Sequence, residues 1–571
     1  MIGDFLLPPG WIMIVGVLLL PLFNRRGAGQ AVAVLVLSVL SLVAFLLTPS
    51  GDYGQLEVFG ATLNVVRIDS LSRIFGVVFH LAAILSAVYA LHVRDVRQHA
   101  AGVVYAGAAI GACCVGDLMS LFVYWELTAL SSVFLVWASD SERSYRSGMR
   151  YLIIQVGSGV LLLAGAIIRY VETDSLAFER FTPAGGTISL GALLILLAFG
   201  IKCAFPLLHN WLQDSYPEAT VTGTVFLSAF TTKLAVYSLA RGFPGTEALI
   251  WIGCAMTLFP IIYAVIENDL RRVLAYSLNN QLGFMVVGVG IGTELAINGT
   301  VAHAFCHIIY KALLFMTMGA VLYRVGTVKA TELGGLHKSM PWTTGFCLIG
   351  AGAISGFPLL SGFISKSMIL SAAGEEHRLV VWLILLVASA GVMEHSGIKI
   401  PFFAFFAHDS GKRPREAPLH MLVAMGAAAF LCVALGVGYP LLYRWLPFPV
   451  DYHPYTVTHV VTQLQLLLFA ALAFVVLMKT HLYPAEQRST NLDSDWVYRR
   501  ALPTLAHSGG IVVKSVVGTC RHAMMVILVR VLSVAGSLFN ERGLLGRTWS
   551  TGVMTFWAGV LLAICLVLYY L

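Results

Sequence analysis

Runs of about 20 consecutive apolar residues recur from one end of this chain to the other, and that repeated length decides what it can fold into. A helix of that length rises roughly 30 Å, the thickness of a bilayer's hydrocarbon core. A soluble domain would need about a quarter of its residues charged to cover its surface. Here 11% of 571 residues are charged and 58% are hydrophobic, with a mean hydropathy of +0.83. One very large soluble core would not reproduce the same run length again and again. The expectation is an all-α membrane protein.

Hydropathy places about sixteen spans. They fall near residues 8–23, 30–47, 71–91, 102–115, 119–137, 149–168, 189–212 and 222–241, then 248–266, 271–292, 295–323, 342–371, 379–406, 419–442, 457–479 and 551–571. Loop charge orients them. With the N-terminus outside, fifteen Lys and Arg residues, from Arg25 and Arg26 to Lys412, Arg413 and Arg415, fall on inner loops. The outer loops carry six: Arg67, Arg169, Arg180, Arg241, Arg378 and Arg444.

The middle of the chain reads as a duplication. Residues 102–241 and 248–406 each hold five spans, and each fourth span is interrupted by proline and glycine beside a lysine. The first interruption reads Gly200-Ile-Lys202-Cys-Ala-Phe-Pro206, and the second Gly356-Phe-Pro358-Leu-Leu-Ser-Gly362-Phe-Ile-Ser-Lys366, which sets Lys366 as the counterpart of Lys202. An odd number of spans turns the second unit upside down, and paired broken helices in inverted repeats point to a transport site. Around the two half-channels lie N-terminal spans (1–101), further spans (407–482), a polar-to-amphipathic segment (483–550) and a last span (551–571). Within that segment His522–Phe539 mixes apolar residues with Arg530, which fits a lateral helix on the membrane surface or against other subunits. An additional span is the alternative.

Several classes fall away. The nine cysteines sit in apolar segments without CxxC spacing, as small hydrophobes do. Pro8–Leu20 runs into Asn24-Arg25-Arg26, not a small-residue cleavage site, so it reads as a retained helix. The net charge of +7 follows from the inner loops without invoking nucleic acid, and no phosphate-binding glycine motif is present. No cofactor is expected.

The spans nevertheless hold charges: Glu126, Lys202, Lys233, Lys311, Lys366, Glu394 and Lys399. Each costs about 3 kcal/mol at a helix centre even on a lenient scale, so they must face the bundle interior. Glu126 is the single acid of its span, and Lys202 is its natural partner; a static ion pair is the plainer alternative. Pro206 pushes against the carbonyl of Lys202 and exposes backbone polarity at the turn carrying the amine. A desolvated lysine there titrates readily, as a proton relay requires, whereas a lysine that merely snorkels belongs at a helix end. Lys233 lies in mid-span. His303, His307 and Lys311 fall on one helical face about 6 Å apart per step, a stripe of three titratable groups. HxxxH spacing also suits a metal, but no acid ligand lies nearby, which argues against zinc. Glu394, His395 and Lys399 lie within six residues, and Lys399 stands as the repeat-mate of Lys233, in mid-membrane or at the cytoplasmic end.

Taken together, these residues resemble the antiporter-like subunit family shared by Mrp-type cation/proton antiporters and the membrane arm of respiratory complex I, and within it the D-type subunits. The motifs are Trp125-Glu126-Leu-Thr-Ala-Leu-Ser-Ser, Ile201-Lys202-Cys-Ala-Phe-Pro-Leu-Leu-His-Asn-Trp-Leu, Tyr216-Pro-Glu-Ala, Ser228-Ala-Phe-Thr-Thr-Lys233, Arg272-Val-Leu-Ala-Tyr-Ser, the His303/His307/Lys311 helix and Ser361-Gly-Phe-Ile-Ser-Lys366, in order across residues 65–406. The resemblance implies fourteen or more helices containing two inverted five-helix half-channels. It implies that Glu126 and Lys202 form the driving pair, that Lys233 connects, that His307 and Lys311 relay and that Lys366 is the exit lysine. Partners would be other membrane subunits, protons and Na⁺ or K⁺, in a bacterial inner membrane. The tail from Leu492 to the last span departs from the D-type pattern and looks more like the lateral helix of the largest antiporter-like subunit of complex I. Two functional expectations follow: a subunit of a monovalent cation/proton antiporter, or a proton-pumping subunit of an NADH–quinone oxidoreductase, membrane hydrogenase or inorganic-carbon uptake complex. The first is a secondary transporter, the second part of an enzyme. A passive scaffold would have no use for seven buried charges.

Overall fold

A computed structural model describes the chain outside residues 1–7, 24–27, 59, 183–187, 484–492, 541 and 544. Arg25 and Arg26, counted above among inner charges, lie outside the described residues. Two compact units are present, residues 1–491 and 492–571.

The first unit opens with α1 (Trp11–Gly16), extended by a 3-10 turn through Phe23, and α2 (Gly29–Leu47). A β-hairpin not anticipated from the sequence follows, β1 (Gly51–Val58) pairing antiparallel with β2 (Ala61–Ile68). Its apolar residues are too few and too alternating for a span, and the strands satisfy their backbone against each other. Next come α3 (Ser70–Tyr89), started by a reciprocal Asp69/Ser72 capping box, and α4 (Val96–Ala112).

From here two copies of one backbone follow each other. α5 (Leu118–Trp137) and α6 (Glu142–Thr173) are matched by α12 (Leu270–Ile291) and α13 (Glu294–Val325). α6 and α13 are both 32 residues long, and the spacing from Glu142 to Glu294 is also that from Thr173 to Val325. The same spacing separates Asp117 from Asp269, whose carboxylates cap α5 and α12, and Ala177 from Lys329, the bridge partners of those two aspartates. α11 (Glu247–Ile266) is the counterpart of α4 and packs tightly on α12, where Gly253 and Gly283 leave no room for a Cβ.

The broken helices share that register. α7 (Leu190–Lys202) and α14 (Pro341–Ser355) both end at a Phe-Pro-Leu-Leu sequence, before α8 (Asn210–Ser215) and α15 (Ser361–Glu375). Pro206 and Pro358 offer no N–H and crowd the carbonyl one turn back. The chain responds identically in both. Phe205 N donates to Gly200 O at 3.0 Å and Phe357 N to Gly352 O at 2.9 Å. Ala204 (φ 61°) and Gly356 (φ 78°) turn left-handed, as do Leu207 (φ 68°) and Leu359 (φ 73°). Aligning the two Phe-Pro-Leu-Leu sequences corrects the sequence reading: Lys202 matches Ile354, and Lys366 matches Asp214. Both lysines are near a proline but lie on different sides of it.

The fifth helix of each copy departs from uniformity. Residues 222–241, expected as one span, form α9 (Gly223–Ala229) and α10 (Thr231–Gly242), broken at Phe230. Neither proline nor glycine is responsible. The Tyr105 hydroxyl from α4 accepts the Thr231 amide at 3.0 Å, diverting it from the helix ladder. In the second copy α16 (Leu379–Val392) runs on through π-helical turns at Met393–Ile398 and Phe402–Phe406, with the short α17 (Lys399–Pro401) between them. α18 (Leu419–Val437), α19 (Tyr439–Tyr443) and α20 (Val457–Lys479) complete the unit. α13 is its centre: 94% of its apolar window is buried, against α9, α12, α14, α15 and α18.

In the second unit α21 (Leu502–Phe539) is longer than the 522–539 segment expected, and α22 (Thr551–Tyr570) follows. Eleven helices among the described residues are long and apolar enough to cross a membrane, including Val497–Phe539 and Thr551–Tyr570. The protein is a multi-span membrane protein.

Candidate proton pathway

The first cluster assembles where α7 stops. Lys202 is its last residue, fully buried, and its amine donates to the Trp125 carbonyl of α5 at 2.6 Å and to Thr128 Oγ1 at 2.9 Å. The same nitrogen lies 4.4 Å from the centre of the Trp125 ring, a cation–π contact in a desolvated setting. The Trp125 indole is held in turn by Ser158 of α6 at 3.0 Å, and Ser158 donates to Ala198 O of α7 at 2.8 Å. Three helices thus fix the amine.

Glu126 and Lys202 are brought to adjacent positions but form no ion pair among the described residues. The carboxylate turns instead toward α6, into a slot that exists because residue 159 is glycine; a Cβ there would overlap Oε1. Glu126 Oε1 is buried and has no hydrogen-bond partner. The sequence pointed to the pair, and nothing in it showed that the amine would choose the backbone of the preceding residue.

Lys233 lies just past the α9/α10 break, and its amine donates to Ser228 O at 2.6 Å, a carbonyl of its own interrupted helix. Lys366 repeats the device, donating to Ile354 O at 2.7 Å at the frayed end of α14, 5.2 Å from the Phe284 ring centre. Breaks in helices leave carbonyls without donors, and lysines supply them.

On α13 the stripe of His303, His307 and Lys311 is fully buried. His303 Nδ1 lies 3.0 Å from Ser365 Oγ of α15, and its other nitrogen faces the Tyr310 hydroxyl at 3.5 Å. Tyr310 donates to Gln281 of α12 at 3.1 Å. Neither nitrogen of His307 nor the amine of Lys311 has a hydrogen-bond partner. His307 stacks edge-on to Tyr310 with centroids 5.2 Å apart, and Lys311 lies 5.9 Å from the Phe315 ring.

Lys399 stands apart from this series, and it is not the repeat-mate of Lys233, because the constant spacing matches Lys233 to Leu385. Its amine donates to Ala264 O (3.2 Å), Val265 O (2.5 Å) and Glu267 O (2.8 Å), the C-terminal carbonyls of α11. That places it at the end of α11 reached by the loop to α12. A cation at a helix C-terminus also has a purely structural role there. Beside it, His395 contacts Ser396 at 2.8 Å, and Ser396 donates to Ser277 at 2.7 Å.

The shared register adds residues that single-span reading passed over. Glu126 matches Leu278, Gly159 matches Lys311, Gln155 matches His307 and Tyr151 matches His303. A search for residues at constant spacing would have found Gln155.

Residues 115–393 match the family described as NADH:quinone oxidoreductase/Mrp antiporter, TM. The chain is 32% identical over 312 residues to the D-type subunit of the Na(+)/H(+) antiporter of Alkalihalophilus pseudofirmus, covering 52% of this chain and 63% of that one. It is 27% identical over 421 residues to hydrogenase-4 component B of Escherichia coli, covering 65% of this chain and 62% of that one. It thus spans less than two thirds of either relative. Its fold is that of a chain in the Mrp complex from Dietzia sp. DQ12-45-1b, with a TM-score of 0.78 at 22% identity over 92% of this chain and 62% of that one. With the duplicated backbone and the broken helices it contains, the stretch 115–393 is a transmembrane region of the NADH:quinone oxidoreductase/Mrp antiporter family, and the chain around it is similar to the Mrp-type antiporter-like subunits.

Proposed function

We propose that this chain is the proton-translocating subunit of a multisubunit monovalent cation (Na⁺ or K⁺)/proton antiporter in a bacterial inner membrane, with its N-terminus outside. One observation carries the reading: Lys202, Lys233 and Lys366 are buried amines, each held on a backbone carbonyl, and two of those carbonyls belong to interrupted helices. An amine bound only to neutral acceptors is stabilised as ammonium by hydrogen bonds and opposed by burial, so a small change in a nearby charge moves its proton. Glu126 supplies such a charge beside Lys202. The order Glu126, Lys202, Lys233, His307 with Lys311, Lys366 then carries protons between the half-channels, with His303 orienting the middle of the path.

The test is cation-induced collapse of a proton gradient in inverted vesicles containing the assembled complex. Lys202→Ala is expected to lower the initial rate by about 100-fold or more. Wild-type rates from an intact Lys202→Ala complex would overturn the assignment.

A second reading is favoured by the longer alignment to the hydrogenase component: the same pathway driven by a redox partner in a complex I-like assembly. Subunit identification by mass spectrometry of the native complex separates them. Small antiporter subunits support the first reading, and iron–sulfur or nickel subunits support the second.

A further inference from the structure

Gln155 is fully buried on α6, and neither its Oε1 nor its Nε2 has a hydrogen-bond partner. Buried amides in folded proteins are almost always satisfied, by protein or by ordered water. Two contacts fix what it faces. Trp125 Nε1 meets Ser158 Oγ at 3.0 Å, and Ser132 Oγ meets the Tyr151 hydroxyl at 2.7 Å. α5 and α6 run antiparallel, so these contacts bracket the register and set Gln155 opposite Thr128. Thr128 is the hydroxyl that accepts from the Lys202 amine.

One turn along α6, about 6 Å away, stands Tyr151. Its hydroxyl reaches Ser132 and Thr231, and Thr231 Oγ1 is bonded to the Tyr105 hydroxyl at 2.6 Å. Thr231 begins α10 two residues before Lys233. Hydroxyls therefore lead from the Tyr151 turn to the Lys233 helix, and Thr128 leads out from Lys202. Gln155 occupies the gap between them. In the second copy the matching residue is His307, also fully buried and also without a partner on either nitrogen. The same backbone position carries an unsatisfied hydrogen-bonding group in both halves.

We infer that Gln155 is a positioning residue that holds the hydrogen-bonded link from Lys202 to Lys233 across the first half-channel, as His307 holds the equivalent place in the second. This rests on the proton-transfer reading above. A carboxamide does not titrate, so its part is to orient: Oε1 accepts from a water beside Thr128 and Nε2 donates onward toward Tyr151. The proton leaves the Lys202 ammonium through the water that Gln155 orients, crosses to the Tyr151 and Thr231 hydroxyls without entering the carboxamide, and ends on the neutral amine of Lys233, with no bond to carbon changed.

The experiment measures gradient collapse in vesicles holding the assembled complex, with Gln155→Met, Gln155→His and Glu126→Gln side by side. Gln155→Met keeps side-chain length and helix preference but removes both polar atoms, and is expected to lower the initial rate at least tenfold in a complex of unchanged size. Gln155→His is expected to recover most of the rate and to add a new inflection to the pH profile, because a titrating ring now sits in the path. Wild-type rates for Gln155→Met alongside an inactive Glu126→Gln would overturn the inference and leave the parent reading standing. Glu126→Gln at wild-type rate would instead overturn the parent reading. If Gln155→Met does not assemble, Gln155→His decides alone, and an unaltered pH profile overturns the role.

Discussion

The two copies share a backbone and differ in what they hang on it. In the first, α5 carries the ionisable group, Glu126, and α6 makes way for it at Gly159. In the second the positions are exchanged in kind: α12 offers Leu278, and α13 carries Lys311 where the glycine had been. The amine of the first copy is gripped by two oxygens, while His307 and Lys311 of the second have no such partners. Identical helix breaks thus serve different charge arrangements. The backbone creates places where a buried charge is tolerable, and the side chains decide which sign occupies them and how firmly it is held.

That contrast can be broken by substitution. Glu126→Leu makes the first copy resemble the second, and transport in vesicles is expected to fall about 100-fold or more, since the first half would lose its only intramembrane acid near Lys202. Retention of the rate would mean that the carboxylate is dispensable. Gly159→Ala tests the slot itself. Its methyl must displace the carboxylate from α6, and misplacing a reacting group by about 1 Å is expected to slow transport roughly 10- to 100-fold without loss of assembled complex. Alanine at the exposed Gly157, where a Cβ meets nothing, serves as the control.

Smaller effects probe the shared backbone. Leu207 and Leu359 hold left-handed conformations in the matched breaks, and both are largely exposed on the first unit's surface. Glycine at either relieves about 1 kcal/mol of backbone strain while loosening the unfolded chain, so thermal stability is expected to change by less than about 1 kcal/mol, and equally in both. Unequal shifts would show that the two breaks are not energetically alike. Another effect of this order lies outside the spans. His92 is half-buried, its Nδ1 2.9 Å from His420 Nε2, and burial first, then that histidine, lowers its pKa from 6.5 to about 4. Folding therefore favours the neutral ring. Its contribution is complete above pH 6.5 and is lost as pH falls toward 4, where the unfolded chain binds the proton first. The slope corresponds to about 1 kcal/mol after discounting for exposure, and His92→Gln should flatten it in a melting series over that range.

Much of this architecture was legible from composition and run length. Charge within apolar runs located each of the lysines, and proline beside them located two breaks. Other features were not legible. The break at Phe230 arises from a tyrosine of a distant helix taking an amide, which leaves no local mark in the Ser228–Lys233 sequence. The choice of Lys202 between the Glu126 carboxylate and the Trp125 carbonyl depends on side-chain direction within one turn. Lys366 was matched to the wrong partner because nearness to proline stood in for register, whereas the Phe-Pro-Leu-Leu sequence common to both breaks carried the true alignment. The hairpin at residues 51–68 was hidden by its length, which is short for a span and ordinary for a loop.

The constant spacing between the copies has a consequence for vectoriality. Because each copy crosses the bilayer an odd number of times, turning the protein over would lay the first four helices of one half on those of the other, and only the fifth would fail to match. Such a scaffold has no arrow of its own. Whatever makes protons enter from one compartment and leave to the other must be written where the copies differ, in the fifth helix and in buried side chains such as Glu126 against Leu278, Gly159 against Lys311 and Asp214 against Lys366. Direction here is a property of the fifth helices and of the buried side chains, set on a frame whose first four helices are repeated.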